Sequence, residues 1–274
     1  MNHFADLHLH TKYSDGLLTP EQIFVKSQAA GFSAISIVDH DTVKGCFIAN
    51  SIKHKYPLEF INGIELSCFE NNKEYHILGY FIDIGNKALN NHITEYTHQR
   101  YIRAEKILKK LNRLGIIINI YELIEIADEA PLTRPHIAHL LVSKGYASNF
   151  KDAFTNFLGE GRPAYENKPV FPVSKAIKMI NRAGGVAVIA HPANSIAPEV
   201  LYNFIDQGLD GIEVVHPLHD DNLKKYYHSI ASQYLLLETG GSDYHGTRDF
   251  DDSNFGKFVV PYSTILSIKR RINL

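Results

Sequence analysis

Ala34-Ile35-Ser36-Ile37-Val38-Asp39 reads as a strand covered on both faces, apolar almost throughout and ending on an acid. Working outward, residues 20–31 form the helix that feeds it. Thr19 supplies the cap and Pro20 takes a first-turn position, where its missing N–H costs nothing. Ahead of that helix, Phe4-Ala5-Asp6-Leu7-His8-Leu9-His10 is a first strand. Downstream, strand-type runs recur at 60–66, 75–81, 185–190, 211–215 and 235–239. Seven strands with helices between them fit a parallel α/β barrel or a doubly wound sheet.

The recurrence breaks between residues 96 and 182, where no strand run of comparable strength occurs. Amphipathic helices are expected there at 96–114, 120–128, 134–144 and 149–158. The expected organisation is therefore an α/β unit of residues 1–95 and 183–274, with an all-helical insertion, or cap, of residues 96–182 between strands four and five. That segment carries 14 Lys and Arg against 8 Asp and Glu, about +6, which leaves about −8 for the remainder. A solvated helical face accounts for such a balance, and so does a basic cap facing an anionic substrate.

Composition bounds the remaining possibilities. A chain of 274 residues suits one α/β barrel, typically roughly 250 residues long. Hydrophobic residues at 45% and charged ones at 21% allow a sizeable core. The net charge of −2 gives no general reason to expect a polyanion or a membrane surface as partner. No apolar run approaches the roughly 20 residues that cross a bilayer, and MNHFADLHLH lacks the segments of a signal peptide. Cys46 and Cys68 cannot build a disulfide framework and read as small buried hydrophobes. A cytoplasmic protein with no membrane association and no obligate protein partner is expected. Fifteen histidines are the unusual feature.

Those histidines, with acids, fall where strands end. The first strand closes on His8 and His10, with Asp15 just beyond in Ser14-Asp15-Gly16; the second closes on Asp39-His40-Asp41. The third carries Glu65 and the fourth His76; the fifth ends in His191, the sixth in His216 and the seventh in Asp243 and His245. His8 and His10 are two apart, so both imidazoles project to one side of the strand with Leu9 on the other. In a parallel barrel all carboxyl ends share one rim, so ligands scattered in sequence converge. Burying so many ionisable groups together is costly without cations. Imidazoles and carboxylates without thiolate suit zinc, manganese or iron in an open catalytic site.

The chain resembles the PHP (polymerase and histidinol phosphatase) superfamily through Asp6-Leu7-His8-Leu9-His10-Thr11, Ser14-Asp15-Gly16, Asp39-His40-Asp41-Thr42, Gly63-Ile64-Glu65, Ala190-His191-Pro192 and Gly241-Ser242-Asp243-Tyr244-His245-Gly246. The resemblance spans nearly the whole chain. It is greatest with the branch whose helical insert opens near Arg134-Pro135-His136-Ile137-Ala138, a branch that includes nucleotide phosphatases and a 5′-to-3′ exoribonuclease. It implies a distorted seven-stranded (β/α)7 barrel and two to three divalent transition-metal ions (manganese, zinc or iron). One ion would take His8, His10, Glu65 and Asp243, a second Asp15, His40 and His191, and a third His76 and His245, with Glu65 bridging.

Such a cluster suits phosphate-ester hydrolysis by a metal-bridging hydroxide, with Glu65 and Asp15 shaping the catalytic centre. His216 and His219 are the candidates to assist the leaving oxygen. Arg134 and His136, opening a helix, and Arg162, in a Gly-flanked loop, are the candidate substrate contacts, since a guanidinium fork matches phosphate. The expected substrate is a small phosphorylated molecule: a mononucleotide or a 3′,5′-bisphosphonucleoside. The alternative is 5′-to-3′ exoribonuclease action on short RNA, although no aromatic-and-basic run for stacking single strands is visible. Histidinol phosphatase activity and a polymerase-associated proofreading role stand behind these.

Overall fold

A computed structural model describes residues 3–274. Eight strands form one sheet: β1 (Phe4–Leu9), β2 (Ala34–Ile37), β3 (Glu59–Glu70), β4 (Lys73–Tyr80), β5 (Val186–Ile189), β6 (Gly211–Val215), β7 (Leu237–Gly240) and β8 (Val260–Pro261). Their spatial order is β7-β6-β5-β4-β3-β2-β1-β8. Each of the seven expected strands forms, and a two-residue eighth adds itself antiparallel beside β1. The sheet comes close to closing on itself. Beyond β7 the chain runs against β1, where His10 N donates to Tyr244 O at 3.0 Å. At Gly241 a Cβ would meet His8 N at 2.4 Å, so only glycine lets the two backbones approach this closely.

The sheet departs from the expected all-parallel pattern. Pairs β1–β2, β2–β3, β5–β6 and β6–β7 are parallel, whereas β3–β4 and β4–β5 are antiparallel. The cause is local. Asn71 and Asn72 join β3 to β4 with φ of 51° and 62°, the left-handed pair that a two-residue hairpin turn requires. A hairpin turns β4 round, so His76 reaches the site from the first half of a reversed strand rather than from a strand's carboxyl end.

Helices cover the sheet. Helix α1 (Pro20–Ala29) starts as expected, with Thr19 and Gln22 forming a reciprocal capping box. It packs with α2 (Lys44–Ile52), burying Ile23, Phe24, Cys46 and Ala49 against Ile35, Ile37 and Phe60. The chain divides into two compact units, one running to Asn90 and resuming at Phe171, the other spanning Asn91–Val170. The second unit contains most of α3 (Lys87–Arg113), with α4 (Ile120–Ala127), α5 (Arg134–Ser143) and α6 (Phe150–Ala153), the last continued by a π-helical turn to Leu158. It has its own core, including Leu108, Leu111, Leu123, Ile137, Leu141 and Leu158. Helix α7 (Val173–Arg182), expected with the helical segment, instead packs on β3, β4 and β5 in the first unit. The remaining helices are α8 (Pro198–Asp206), α9 (Asp221–Tyr234), α10 (Asp251–Asn254) and α11 (Ser263–Arg271). Among the described residues, no helix is long and apolar enough to cross a membrane.

Candidate metal centre

Nine side chains from across the first unit meet in one pocket, and Glu65 lies at its middle. Its Oε1 is 2.9 Å from His76 Nδ1 and 3.0 Å from His191 Nε2. Its Oε2 is 3.2 Å from His10 Nε2, 3.3 Å from His8 Nε2 and 3.4 Å from His40 Nδ1. Asp243 Oδ1 sits 3.3 Å from Nε2 of both His8 and His10. Asp15 Oδ1 is 3.2 Å from His245 Nε2, and its Oδ2 is 3.9 Å from His40 Nε2.

The donor set fits divalent ions. Four overlapping groups place all their ligand atoms within 4.8 Å of one another: His10, Asp15, His40 and His245; His8, His10 and Asp243; His8, Glu65 and His191; His40, Glu65 and His76. His8 Nε2 and His10 Nε2 face each other at 3.1 Å, an arrangement two protonated nitrogens could not share. Among the described residues, His10 Nδ1, Asp15 Oδ1, His40 Nδ1 and His76 Nδ1 are buried and form no hydrogen bond of acceptable geometry. Buried polar atoms left without a hydrogen bond in such a cluster fit a role as metal ligands.

In the structure His191 lies with His8 and Glu65, His76 with His40 and Glu65, and His245 with His10, Asp15 and His40.

Without cations, protons balance the carboxylates. Burial opposes charge on Glu65, but His40, His76 and His8 hold its carboxyl well below the ordinary range. Asp243 and Asp15 are likewise held low against burial, Asp243 chiefly by His8 and Asp15 by His40 and His245. Burial also opposes charge on His10 and His76, yet their carboxylate neighbours lift them to about 9 and about 10. Burial wins at His40, which falls to about 3.

A surrounding layer fixes the ligands. Glu213, fully buried on β6, accepts from His8 Nδ1 at 2.7 Å through Oε1 and from His191 N at 2.7 Å through Oε2. This pins the His8 tautomer with Nε2 facing the pocket. The motif acids Asp6, Asp39 and Asp41 hold loops rather than the pocket. Asp6 accepts from Ser242 N and Oγ, Asp39 from Thr11 and Ser14, and Asp41 from Ser67. His191 and Asp243 are held at φ of 27° and 52°, strained values of the kind that tight surroundings maintain at functional sites. Glu213 was not among the sequence candidates, although a charged residue inside the apolar run Gly211-Ile212-Glu213-Val214-Val215 is a readable signal.

The remaining candidates separate. His216 is buried, accepts from Leu218 N through Nδ1, and directs Nε2 at Asp243 Oδ2, 3.5 Å away. His219 Nδ1 donates to Val214 O at 2.9 Å and Nε2 accepts from Ala193 N at 3.0 Å. Both ring nitrogens are engaged with backbone, so none is left to protonate a leaving group. In the helical unit, Arg134 donates to Leu158 O at 3.2 Å and packs beside Phe154 and Tyr165. His136 Nδ1 serves the Thr133 cap of α5, and Arg162 is exposed in its loop.

The chain resembles known proteins along most of its length. The PHP domain model matches residues 6–159. The 5′-3′ exoribonuclease Rnm of Salmonella typhimurium is 31% identical over 247 residues, 88% of this chain and 84% of that protein. The 3′,5′-nucleoside bisphosphate phosphatase of Chromobacterium violaceum is 30% identical over 256 residues, 89% of each. A solved structure from Bifidobacterium adolescentis, assigned as a metal-dependent phosphoesterase, superposes with a TM-score of 0.87 at 27% identity, covering 97% of this chain and 96% of that one.

Proposed function

The chain belongs to the PHP domain family and is a metal-dependent phosphoesterase; from that premise we propose that it hydrolyses phosphate esters of small nucleotides, a mononucleotide or a 3′,5′-bisphosphonucleoside. The observation that carries this reading is the shared position of Glu65, with one oxygen turned to His76 and His191 and the other to His8, His10 and His40. We assign three adjoining nests: His8, His10 and Asp243; Glu65, His76 and His191; Asp15, His40 and His245. Two or three manganese, zinc or iron ions bound there would acidify an attacking water and neutralise charge on the phosphoryl oxygens.

The protein's own groups supply the rest. Glu65 and Asp243 set the spacing of the nests, and Glu213, accepting from His8 Nδ1, orients that ring with Nε2 toward the pocket. His216, with its Nδ1 accepting from Leu218 N, turns Nε2 toward Asp243 and is the group placed to assist the departing oxygen by a hydrogen bond. Arg134, His136 and Arg162 are the proposed phosphate contacts of the helical unit.

A second reading, exoribonuclease action on short RNA, draws support from the 31% identity to the Salmonella enzyme. A phosphate-release screen of the manganese-loaded protein over mononucleotides, bisphosphonucleosides and short RNAs separates the two. Faster turnover of a small nucleotide, with affinity only weakly dependent on salt, is expected. Faster shortening of RNA from its 5′ end, with a steep salt dependence, would replace this reading by the second.

A further inference from the structure

Arg248 stands at the edge of the pocket, outside the nine ligands. Its Nη1 donates to Asp243 Oδ2 at 2.9 Å, on the side of that carboxylate turned away from His8 and His10. Its Nη2 lies 3.5 Å from His245 Nε2, the nitrogen that faces Asp15. One guanidinium edge therefore spans residues of two different nests. The side chain is 39% exposed, so its outer face is open to solvent while its inner edge is anchored.

The loop is built to hold it there. Asp251, 2% exposed, accepts from the backbone nitrogens of His245, Thr247 and Arg248 through a single oxygen at 3.1–3.3 Å. Gly246, at φ +73°, makes the turn that brings all three amides to that carboxylate. Phe250 packs beside the guanidinium at 5.9 Å. A cation fixed by its backbone, with one amino group committed and the other directed across His245, has the form of an oxyanion clamp.

We propose that Arg248 contacts the phosphoryl group undergoing hydrolysis and selects terminal phosphate monoesters over internal phosphodiesters. This rests on the phosphoesterase reading of the pocket. When His245 Nε2 serves as a ligand, its lone pair is no longer available to Nη2. That amino group then addresses an oxygen of the substrate on the same side. A monoester dianion presents three non-bridging oxygens and the larger charge, so it gains more from a fixed guanidinium than a diester monoanion does.

The test compares Arg248→Ala and Arg248→Lys with the unaltered protein, all manganese-loaded. A nucleoside monophosphate and its methyl diester serve as substrates, and inorganic phosphate as a probe in calorimetry. Arg248→Ala is expected to lose about ten- to a hundredfold in kcat/KM on the monoester, and much less on the diester. Phosphate affinity should fall by a similar factor at unchanged metal content. Added guanidinium should restore part of the monoester rate, and Arg248→Lys should fall between the two. Equal losses on both esters together with lower metal content would overturn the proposal and leave Arg248 as a support for Asp243. Should the unaltered protein hydrolyse neither ester, the phosphoesterase reading fails by itself; unchanged phosphate binding in Arg248→Ala overturns this inference independently.

Discussion

Replacing Glu213 by glutamine changes one atom's chemistry and leaves the side chain's shape intact. The carboxylate accepts on both sides, from His8 Nδ1 at 2.7 Å and from His191 N at 2.7 Å, and it is fully buried. An amide has one accepting oxygen and one donating nitrogen. Whichever way it turns, its NH2 group faces a donor. If it faces His191 N, a backbone bond is lost and the φ of 27° at His191 loses its restraint. If it faces His8, the ring must move its proton to Nε2, the nitrogen needed for a metal. One charge-assisted hydrogen bond to a buried group is worth roughly 1.5–3 kcal/mol. That corresponds to roughly ten- to a hundredfold in metal affinity or activity, the usual effect of losing a group that orients a ligand. Manganese titration by calorimetry, kcat/KM and a thermal melt of Glu213→Gln together measure it. Metal affinity and kcat/KM both within about twofold of the unaltered protein, with a normal melt, would refute the claim that Glu213 sets the His8 tautomer.

Glu65→Gln removes the shared charge of the pocket, so turnover under saturating manganese should fall at least about a thousandfold, roughly 4 kcal/mol in the barrier, with melting retained; near-normal turnover would show that sharing is unnecessary. His10 and His76, lifted to about 9 and about 10, are protonated at neutral pH in the metal-free protein, so metal loading should release protons. Calorimetry in buffers of different ionisation enthalpy reads this release, and apparent affinity should rise with pH. The same raised values add stability to the metal-free protein below about 6.5, which should be lost as pH climbs through 9 to 10. His216→Asn should lower kcat at least about tenfold with melting retained, whereas His219→Asn, which breaks two backbone bonds, should lower the melting temperature.

Much of this was legible in the residues, for identifiable reasons. Strand positions follow from short apolar runs such as Ala34-Ile35-Ser36-Ile37, and the ligands follow from histidines and acids at their ends. Strand direction was not, because an apolar run carries no sense of orientation; the hairpin at Asn71 and Asn72 was the available signal, and it reverses β4. The residues of helix α7 fell within the expected insertion because no strand run marks them, yet the apolar face Val173, Ala176, Ile177 and Ile180 is buried on the sheet. His219 could not be told from His216 by sequence, since what separates them is a pair of backbone bonds to Val214 and Ala193.

The central claim is that the pocket around Glu65 is a cluster of metal sites arranged as the three nests described. Crystals of the manganese-loaded protein, measured at the manganese absorption edge, test it most directly. The account requires two or three anomalous peaks around Glu65, with His191 and His76 on one ion and His245, Asp15 and His40 on another. A single peak at full loading, or peaks that pair His191 with Asp15, would contradict it.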